Sequence, residues 1–429
     1  MRSPEWTRRD AAVVWHGFTQ MATFPDDVPV IVERAEGHEL IDVDGRRYLD
    51  AISSLWVSTL GHGVSELDAA LAEQLGRVAH STMLGNGNRV VIELAEALAE
   101  VVPVDAPHFL FASDGAAAVE QGLKIAFQYW ANRGVAGRIR YLAFGDAYHG
   151  DTVGSLSLGD GGFGAELFGP LRFPVLRAPG FDDPDSLAVA AELVCERGEE
   201  LAAAVVEPLV QGAAGMRTAP PVAFAELADA CAETEVLLIC DEVATGFGRT
   251  GSLFASERCG LRPDILCLGK GLTGGYLPMS ATVASHEVYR AFLGEDLGPR
   301  TFYHGHSYGG NALAAAVALR HLGLIQERDV LANVQDRSAE LRTLLGERIE
   351  PLPQVAEVRL EGLMGGVELH GAEGERRGRE VCKAAVERGV LLRSLSDVLV
   401  LMPPLTITAP ELERIVDTLA EAIEERVAR

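Results

Sequence analysis

The sequence predicts an α/β fold, in which a large domain contains a mostly parallel sheet and a smaller domain has α+β organisation. At 429 residues the chain is too long for one hydrophobic core, so we expect at least two. From about residue 66 to 325, helical segments alternate with short apolar runs at 140–144, 203–206 and 265–268. This alternation is typical of parallel strands that helices cover on both faces.

We divide the chain into four parts, of which the third is the alternating region. Residues 1–25 are predicted to form an N-terminal arm, and residues 26–65 to add early strands to the small domain. Residues 66–325 would form the large domain, and residues 326–429 would complete the small one. In this last part we expect helices at 330–347, 377–388 and 410–426, with strands at 355–359, 364–368, 390–393 and 398–401.

Composition restricts the partners that the chain can have. The 62 Asp and Glu residues outnumber the 37 Lys and Arg residues, which gives a formal charge of −25. Nucleic acids and anionic membranes select basic patches, so we expect neither as a partner. No apolar signal segment opens the chain and no two cysteines have C-x-x-C spacing, so we expect a cytoplasmic protein with free thiols. The cysteines are Cys195, Cys231, Cys240, Cys259, Cys267 and Cys382.

Two predicted strands end beside an ionisable residue and a glycine-rich turn. The apolar run 236–240 leads to Asp241, and the run 265–268 leads to Lys270, 29 residues later. Ligands of open α/β sheets bind outside the carboxyl ends of the strands. An acid and an amine presented there together favour pyridoxal phosphate, whose chemistry uses a lysine Schiff base and an acidic partner for the pyridinium nitrogen.

Two further positions match a phosphorylated, ring-containing cofactor. Helical spacing of apolar residues after Val119 places Gly115 at a helix start, where free amides and the helix dipole attract anions. A helix cap formed by Ser113 or Asp114 explains the same residues equally well on their own. Tyr148 follows the strand 140–144, so its ring either stacks on a heterocycle or packs on the domain surface.

Three other patterns have weaker chemical interpretations. The glycines of GDGGFG (159–164) and GFGRTG (246–251) match the dinucleotide fingerprint, yet neither match stands directly between a strand and a helix, so we interpret them as loop glycines. His304-Gly305-His306 lacks a third ligand nearby, and we expect no metal. Arg393 ends the apolar run 390–392, where it forms either a surface pair or a bidentate clamp for a substrate carboxylate.

Together these residues resemble the class III pyridoxal-phosphate aminotransferases of fold type I, over nearly the whole chain from Trp15 onward. The stretches that carry the resemblance are DEVATGFGRTG (241–251), PDILCLGKGLTGGYLP (263–278) and YHGHSYGGN (303–311). Within that class, four stretches resemble the enzymes of biotin biosynthesis that aminate 8-amino-7-oxononanoate. They are WHGFTQM (15–21), AYHGDTVG (147–154), EPLVQGAAGM (207–216) and LVLMPPL (399–405).

The resemblance implies a role for each matching residue. Lys270 would carry the cofactor and Asp241 would pair with its pyridinium nitrogen. A homodimer would share its active sites between subunits. The implied phosphate- and ring-binding residues are Gly115, Ala116 and Tyr148, with His306 and Ser307 from the other subunit. The implied substrate-binding residues are Phe18, Trp56, Tyr148, Gly305 and Arg393.

Departures from the family pattern bear on the amino donor. Many glutamate-using members have a glutamate where this chain has Ala213, so glutamate is a poor candidate. S-adenosylmethionine and L-lysine stay open, although Phe18, Leu55 and His306 are more similar to the lysine-using branch. The alternatives are another class III activity on an ω-amino acid or diamine, and a non-catalytic cofactor-binding regulator. A nucleotide-dependent oxidoreductase, suggested by the glycine matches, is a distant third.

Overall fold

The computed structural model describes residues 3–27, 29–160, 165–371 and 376–427. Its strands are β1 Val32–Glu36, β2 Glu39–Asp42, β3 Arg47–Asp50, β4 His108–Ala112, β5 Arg140–Phe144, β6 Leu176–Ala178, β7 Leu201–Val206, β8 Val210–Gln211, β9 Arg217–Thr218, β10 Leu237–Asp241, β11 Ile265–Leu268, β12 Ser280–Ala284, β13 Val355–Glu361, β14 Met364–Leu369, β15 Val390–Leu391, β16 Arg393–Leu395 and β17 Val398–Leu401. Its α-helices are α1 Ser3–Val13, α2 Ser53–Trp56, α3 Ser65–Leu75, α4 Arg89–Ala99, α5 Gly115–Asn132, α6 Val153–Leu158, α7 Ser186–Arg197, α8 Phe224–Thr234, α9 Ala255–Arg258, α10 His286–Arg290, α11 Ala312–Glu327, α12 Val330–Arg348, α13 Arg377–Glu387 and α14 Ala409–Arg426.

A seven-stranded sheet lies at the centre of the molecule, in the order β4-β12-β11-β10-β7-β5-β6. All its strands run parallel except β12, which pairs antiparallel with both β11 and β4. Strands β7, β10 and β11 are buried along their whole length. A strand covered on both faces needs a continuous apolar run rather than alternation. The predicted α/β fold with a mostly parallel sheet is confirmed.

Helices cover the two faces of this sheet and bury alternate residues of each strand. Helix α5 packs on one face, where its Leu123 and Trp130 meet Val205 of β7 and Ile239 of β10. The other face buries the neighbouring strand residues, such as Cys240, against helices α4, α7, α8 and α11. This alternation follows from the period of two in a strand.

Two four-stranded sheets are built from the two ends of the described chain. One sheet has the order β1-β2-β3-β15, and Leu49 of β3 pairs in parallel register with Val390 of β15. Another has the order β13-β14-β17-β16 and comes entirely from residues after 354. The division into domains at residues 65 and 325 stays a prediction.

The expected strand 390–393 is wrong in one respect. The chain breaks at Leu392, whose side chain is buried, so β15 pairs with β3 whereas β16 pairs with β17. Arg393 therefore begins β16 instead of ending a strand, and its side chain is exposed. The break is needed because β3 and β17 belong to different sheets, and one straight strand cannot lie in both.

The glycines of the second dinucleotide-like match lie in turns. Gly246, Gly248 and Gly251 lie in the turns between β10 and α9, and the last two have φ near 97°, which only glycine adopts readily. They are loop glycines, as predicted. Gly161 and Gly164 lie outside the described residues. No helix in the described part of the chain is long and apolar enough to cross a membrane.

Candidate active site

The carboxyl ends of five strands meet at one edge of the central sheet and surround a cavity of about 450 Å³. Each strand contributes at least one lining residue at or just after its end. These are Gly115 after β4, Tyr148 after β5, Glu207 after β7, Asp241 at the end of β10 and Lys270 after β11. The edge is the position at which open α/β sheets bind their ligands.

Lys270 and Asp241 are brought together because β10 and β11 are parallel neighbours. Asp241 pairs in register with Cys267, three residues before the lysine. Lys270 has φ 40°, a left-handed conformation that ends the strand sharply and directs the chain into a 3₁₀ turn. Its Nζ lies 4.9 Å from the centre of the Trp56 ring. Burial lowers the pKa of this amine, and the carboxylates of Asp241 and Glu207 oppose that effect only in part.

Asp241 is held by two hydrogen bonds. Its Oδ2 lies 2.7 Å from Nδ1 of His149, and its Oδ1 accepts the Val243 N–H at 3.0 Å. The His149 side chain is fully buried, which by itself lowers its pKa, but the hydrogen bond and charge of Asp241 outweigh burial and raise it. The imidazole is therefore a stable donor to Asp241, and it fixes the plane of the carboxylate.

Glu207 is an ionisable residue that the sequence interpretation did not select. It is buried, and its two carboxylate oxygens accept the N–H groups of Tyr148 at 3.3 Å and Gly212 at 3.1 Å. Burial raises its pKa to about 7. The signal for it was present, because Glu207 follows the apolar strand β7 just as Asp241 ends β10.

Helix α5 presents its N-terminus to the cavity, as predicted from the sequence. Asp114 is the N-cap and its Oδ1 accepts the Ala117 N–H at 2.8 Å, so the cap interpretation is also correct. Gly115 and Ala116 line the cavity. A Cβ at Gly115 would lie 2.6 Å from Cγ1 of Val243, so glycine is needed for this close approach. The first amides of an 18-residue helix form a suitable site for a phosphate.

His306 lies beside this helix start, but neither His306 nor Ser307 lines the cavity of their own chain. Nδ1 of His306 accepts the Tyr308 N–H at 3.1 Å, which leaves the proton on Nε2, 3.0 Å from Oγ of Ser113. Ser113 in turn donates to Asp114, the cap of α5. Ser307 is exposed, and its carbonyl oxygen lies 2.8 Å from Nε2 of His80.

The predicted substrate residues divide into two groups. Trp56 and Tyr148 line the cavity, and the Tyr148 hydroxyl donates to Asp151 at 2.9 Å. Phe18, Gly305 and Arg393 are exposed and lie outside the lining. Their substrate roles stay predictions.

The segment that carries Trp56 is strained and held by buried polar contacts. Ser53, Ser54 and Trp56 all have positive φ, between 52° and 65°. Asp50 accepts the Ser54 N–H at 2.8 Å, and the Ser53 hydroxyl donates to a backbone carbonyl at 2.6 Å. Arg249, which is 2% exposed, donates to the carbonyl of Pro403 and approaches the Ser53 hydroxyl at 3.5 Å. These contacts fix the indole near Lys270.

Comparison with known proteins identifies the family. The aminotransferase class-III family model matches residues 21–423. The adenosylmethionine-8-amino-7-oxononanoate aminotransferase of Nitratidesulfovibrio vulgaris is 46% identical over 96% of this chain and 80% of its own length. The Aquifex aeolicus protein of the same name is 41% identical over 97% of this chain and 96% of its own length.

Solved structures give the same result. The crystal structure of adenosylmethionine-8-amino-7-oxononanoate aminotransferase from Methanocaldococcus jannaschii superposes with a TM-score of 0.94 at 38% identity, covering 99% of both chains. The omega transaminase of Pseudomonas jessenii in complex with PMP superposes with a TM-score of 0.92 at 28% identity, covering 98% of both chains. The predictions of fold type I, of a transaminase and of pyridoxal 5′-phosphate as cofactor are confirmed. The chain belongs to the class III aminotransferases.

Proposed function

We propose that this enzyme transfers an amino group to 8-amino-7-oxononanoate, which forms 7,8-diaminononanoate in biotin biosynthesis. The observation that carries the proposal is the 46% identity, over 96% of this chain, to a relative named for that reaction. The buried lysine and its neighbouring carboxylate supply the reactive groups that such a transfer needs. We place the enzyme in the cytoplasm, where its free cysteines would stay reduced.

The residues of the cavity fit the cofactor. The amides of Gly115 and Ala116 would hold its phosphate, and the ring of Tyr148 would lie against its ring. Asp241 would face the ring nitrogen, and the amine of Lys270 would form the covalent link. When bound, pyridoxal phosphate supplies a sink for the negative charge that develops on the reacting carbon.

Three side chains of the protein have separate roles in the reaction. Lys270 moves the proton to and from the donor carbon, and its lowered pKa keeps more of the amine neutral and able to accept that proton. The negative charge of Asp241 would keep a proton on the ring nitrogen of the bound cofactor, which would strengthen the charge sink. His149 holds Asp241 in place through their 2.7 Å contact.

The acceptor has a mostly apolar chain that ends in a carboxylate. Trp56 and Tyr148 offer aromatic surface for that chain inside the cavity. Arg393, Gly305 and Phe18 are proposed to contact the acceptor from outside the described cavity. The exposed guanidinium of Arg393 is suited to the terminal carboxylate.

The functional assembly is proposed to be a homodimer. The family resemblance implies that Ser307 and His306 of a second copy reach the phosphate, and in their own chain both residues lie outside the cavity lining. Exposed apolar side chains surround these residues, with Leu84, Tyr303 and Tyr308 each more than 60% exposed. A face of this kind favours contact with another protein surface. Sedimentation equilibrium tests the proposal, and a monomer at micromolar concentration would contradict it.

S-adenosylmethionine is the proposed amino donor, because the relatives carry it in their names. L-Lysine is a second candidate, favoured by Phe18, Leu55 and His306. An ω-amino acid or a diamine is a third, favoured by the TM-score of 0.92 to the Pseudomonas jessenii omega transaminase. Ala213, where many relatives that use glutamate have a carboxylate, lines the cavity and argues against glutamate.

A half-reaction screen tests the activity and the donor together. Holoenzyme is mixed with one donor at a time, and loss of the visible cofactor band reports amino transfer. Product analysis after 8-amino-7-oxononanoate is added then tests the acceptor. Lys270→Ala should abolish both steps, whereas Lys383→Ala, which removes a solvent-accessible lysine paired with Glu380, should not. A fully active Lys270→Ala enzyme, or failure to complement a biotin auxotroph, would overturn the proposal.

A further inference from the structure

We propose that Glu120 is a positioning residue that holds the phosphate side of the cofactor cavity in register with its ring side. The phosphate side is the first turn of α5, at Gly115 and Ala116. The ring side is the segment from Tyr148 to Ser155, a loop that runs into the first turn of α6. The proposal rests on the cofactor of the family and is independent of the identity of the substrates.

The geometry of the Glu120 carboxylate carries the proposal. Glu120 lies on α5, five residues after Gly115, and its Oε1 reaches across to the ring-side segment. That single oxygen accepts the Thr152 hydroxyl at 2.6 Å, the Gly154 N–H at 2.7 Å and the Ser155 N–H at 3.2 Å. Thr152 itself lines the cavity. One carboxylate therefore joins α5, whose first turn would hold the phosphate, to the segment that carries Tyr148, whose ring would lie against the cofactor ring.

Two glycines allow the ring-side segment to pack closely against α5. A Cβ on Gly154 would lie 2.2 Å from Oε2 of Glu120, inside the space of the carboxylate. A Cβ on Gly150, which has φ 128°, would lie 2.5 Å from Cβ of Ala116. The segment consequently lies directly on the first turn of α5, and the carboxylate sets the distance between them.

A small displacement of the ring-side segment relative to α5 is expected to weaken cofactor binding without unfolding the protein. Hydrogen bonds to a charged acceptor are stronger than neutral ones, and three of them converge on Glu120 Oε1. Without them the segment is free to move relative to α5, and Tyr148 and Gly115 no longer hold two ends of one rigid molecule at a fixed spacing. Small errors in the position of the groups that contact a ligand weaken its binding.

The test measures the dissociation constant of pyridoxal phosphate from the apoenzyme, together with the circular dichroism of the bound cofactor. Glu120→Ala should raise that constant about tenfold and weaken the dichroic band. Glu120→Gln, which keeps a carbonyl acceptor but loses the charge, should raise the constant by less than Glu120→Ala does. Glu96→Ala, on an exposed position of α4, is the control and should change neither quantity.

A double-mutant cycle with Gly154 separates positioning from general destabilisation. Gly154→Ala should weaken cofactor binding as Glu120→Ala does, because the added methyl displaces the carboxylate from its three donors. In the Glu120→Ala background the same methyl meets no carboxylate, so Gly154→Ala should have no further effect. A dissociation constant for Glu120→Ala equal to that of Glu96→Ala would overturn the proposal. So would a lowered unfolding midpoint of the apoprotein with unchanged cofactor affinity.

Discussion

Replacing Glu207 with glutamine should change how the stability of the apoprotein depends on pH. The carboxyl group is buried, and burial raises its pKa from the ordinary 4.5 to about 7. In the unfolded chain the group ionises near pH 4.5, whereas in the folded protein it stays protonated up to about pH 7. The unfolded state therefore releases a proton first, and the stability of the folded state falls as pH rises from 4.5 through 7.

The size of this effect follows from the gap between the two pKa values. Subtracting 4.5 from about 7 leaves a gap of about 2.5, which corresponds to about 3 kcal/mol when the group is ionised in both states. Applying the linkage relation at pH 5.5 and at pH 8.5 gives a loss of about 2 kcal/mol between them. Glutamine cannot ionise, so the variant should lack this loss. It should also lose one of the two backbone hydrogen bonds, a cost of about 1 kcal/mol at every pH.

Urea denaturation of the apoprotein at the two pH values measures the effect. The comparison is best made in a Lys270→Ala background, because the charge of Glu207 also raises the pKa of that amine. Glu199→Gln, at an exposed position, serves as the control and should follow the wild type. Parallel pH dependences for Glu207→Gln and its parent would refute the reasoning, since they would mean that Glu207 ionises equally in both states.

Three other substitutions have expected outcomes. Asp241→Asn should bind the cofactor yet lower kcat by about 10²–10³, measured in single-turnover kinetics; a change below tenfold would contradict the role of its charge. Arg249→Met should lower the free energy of unfolding by about 1–3 kcal/mol, because it leaves the buried carbonyl of Pro403 without its hydrogen-bond donor. The exposed Arg262→Met should cost less than about 1 kcal/mol in the same urea experiment, and equal costs would contradict this explanation. Arg393→Ala should raise KM for acceptors with a terminal carboxylate about tenfold at unchanged kcat, while an unchanged KM would remove Arg393 from the substrate site.

Patterns within one strand or helix predicted much of the site. Asp241 and Lys270 were recognisable because each follows an unbroken apolar run, and such runs are parallel strands whose carboxyl ends meet. Gly115 was recognisable because helical periodicity begins just after it. Glu207 has the same signal as Asp241, because it too follows an unbroken apolar strand, so the sequence contains the information that places it at the site.

Contacts between distant segments could not be predicted in this way. The 2.7 Å pairing of His149 with Asp241 joins residues 92 positions apart, and no local pattern specifies which loop side chain meets which strand end. The break at Leu392 is also a tertiary effect. A run of apolar residues predicts a strand, but the choice of two different sheets depends on where β3 and β17 lie.

The sequence by itself determined the class of fold and the cofactor, and it predicts Asp241 and Lys270 as the side chains that act on the cofactor. These depend on hydrophobic periodicity and on the chemistry of residues at strand ends, both of which are local. Only the tertiary structure decided the electrostatic environment of those side chains and the distance between the two sides of the cavity. Burial lowers the pKa of Lys270 and raises that of Glu207, and Glu120 joins helix α5 to the segment of Tyr148. The physical reason is that desolvation and hydrogen bonding across the cavity depend on which segments the fold brings together.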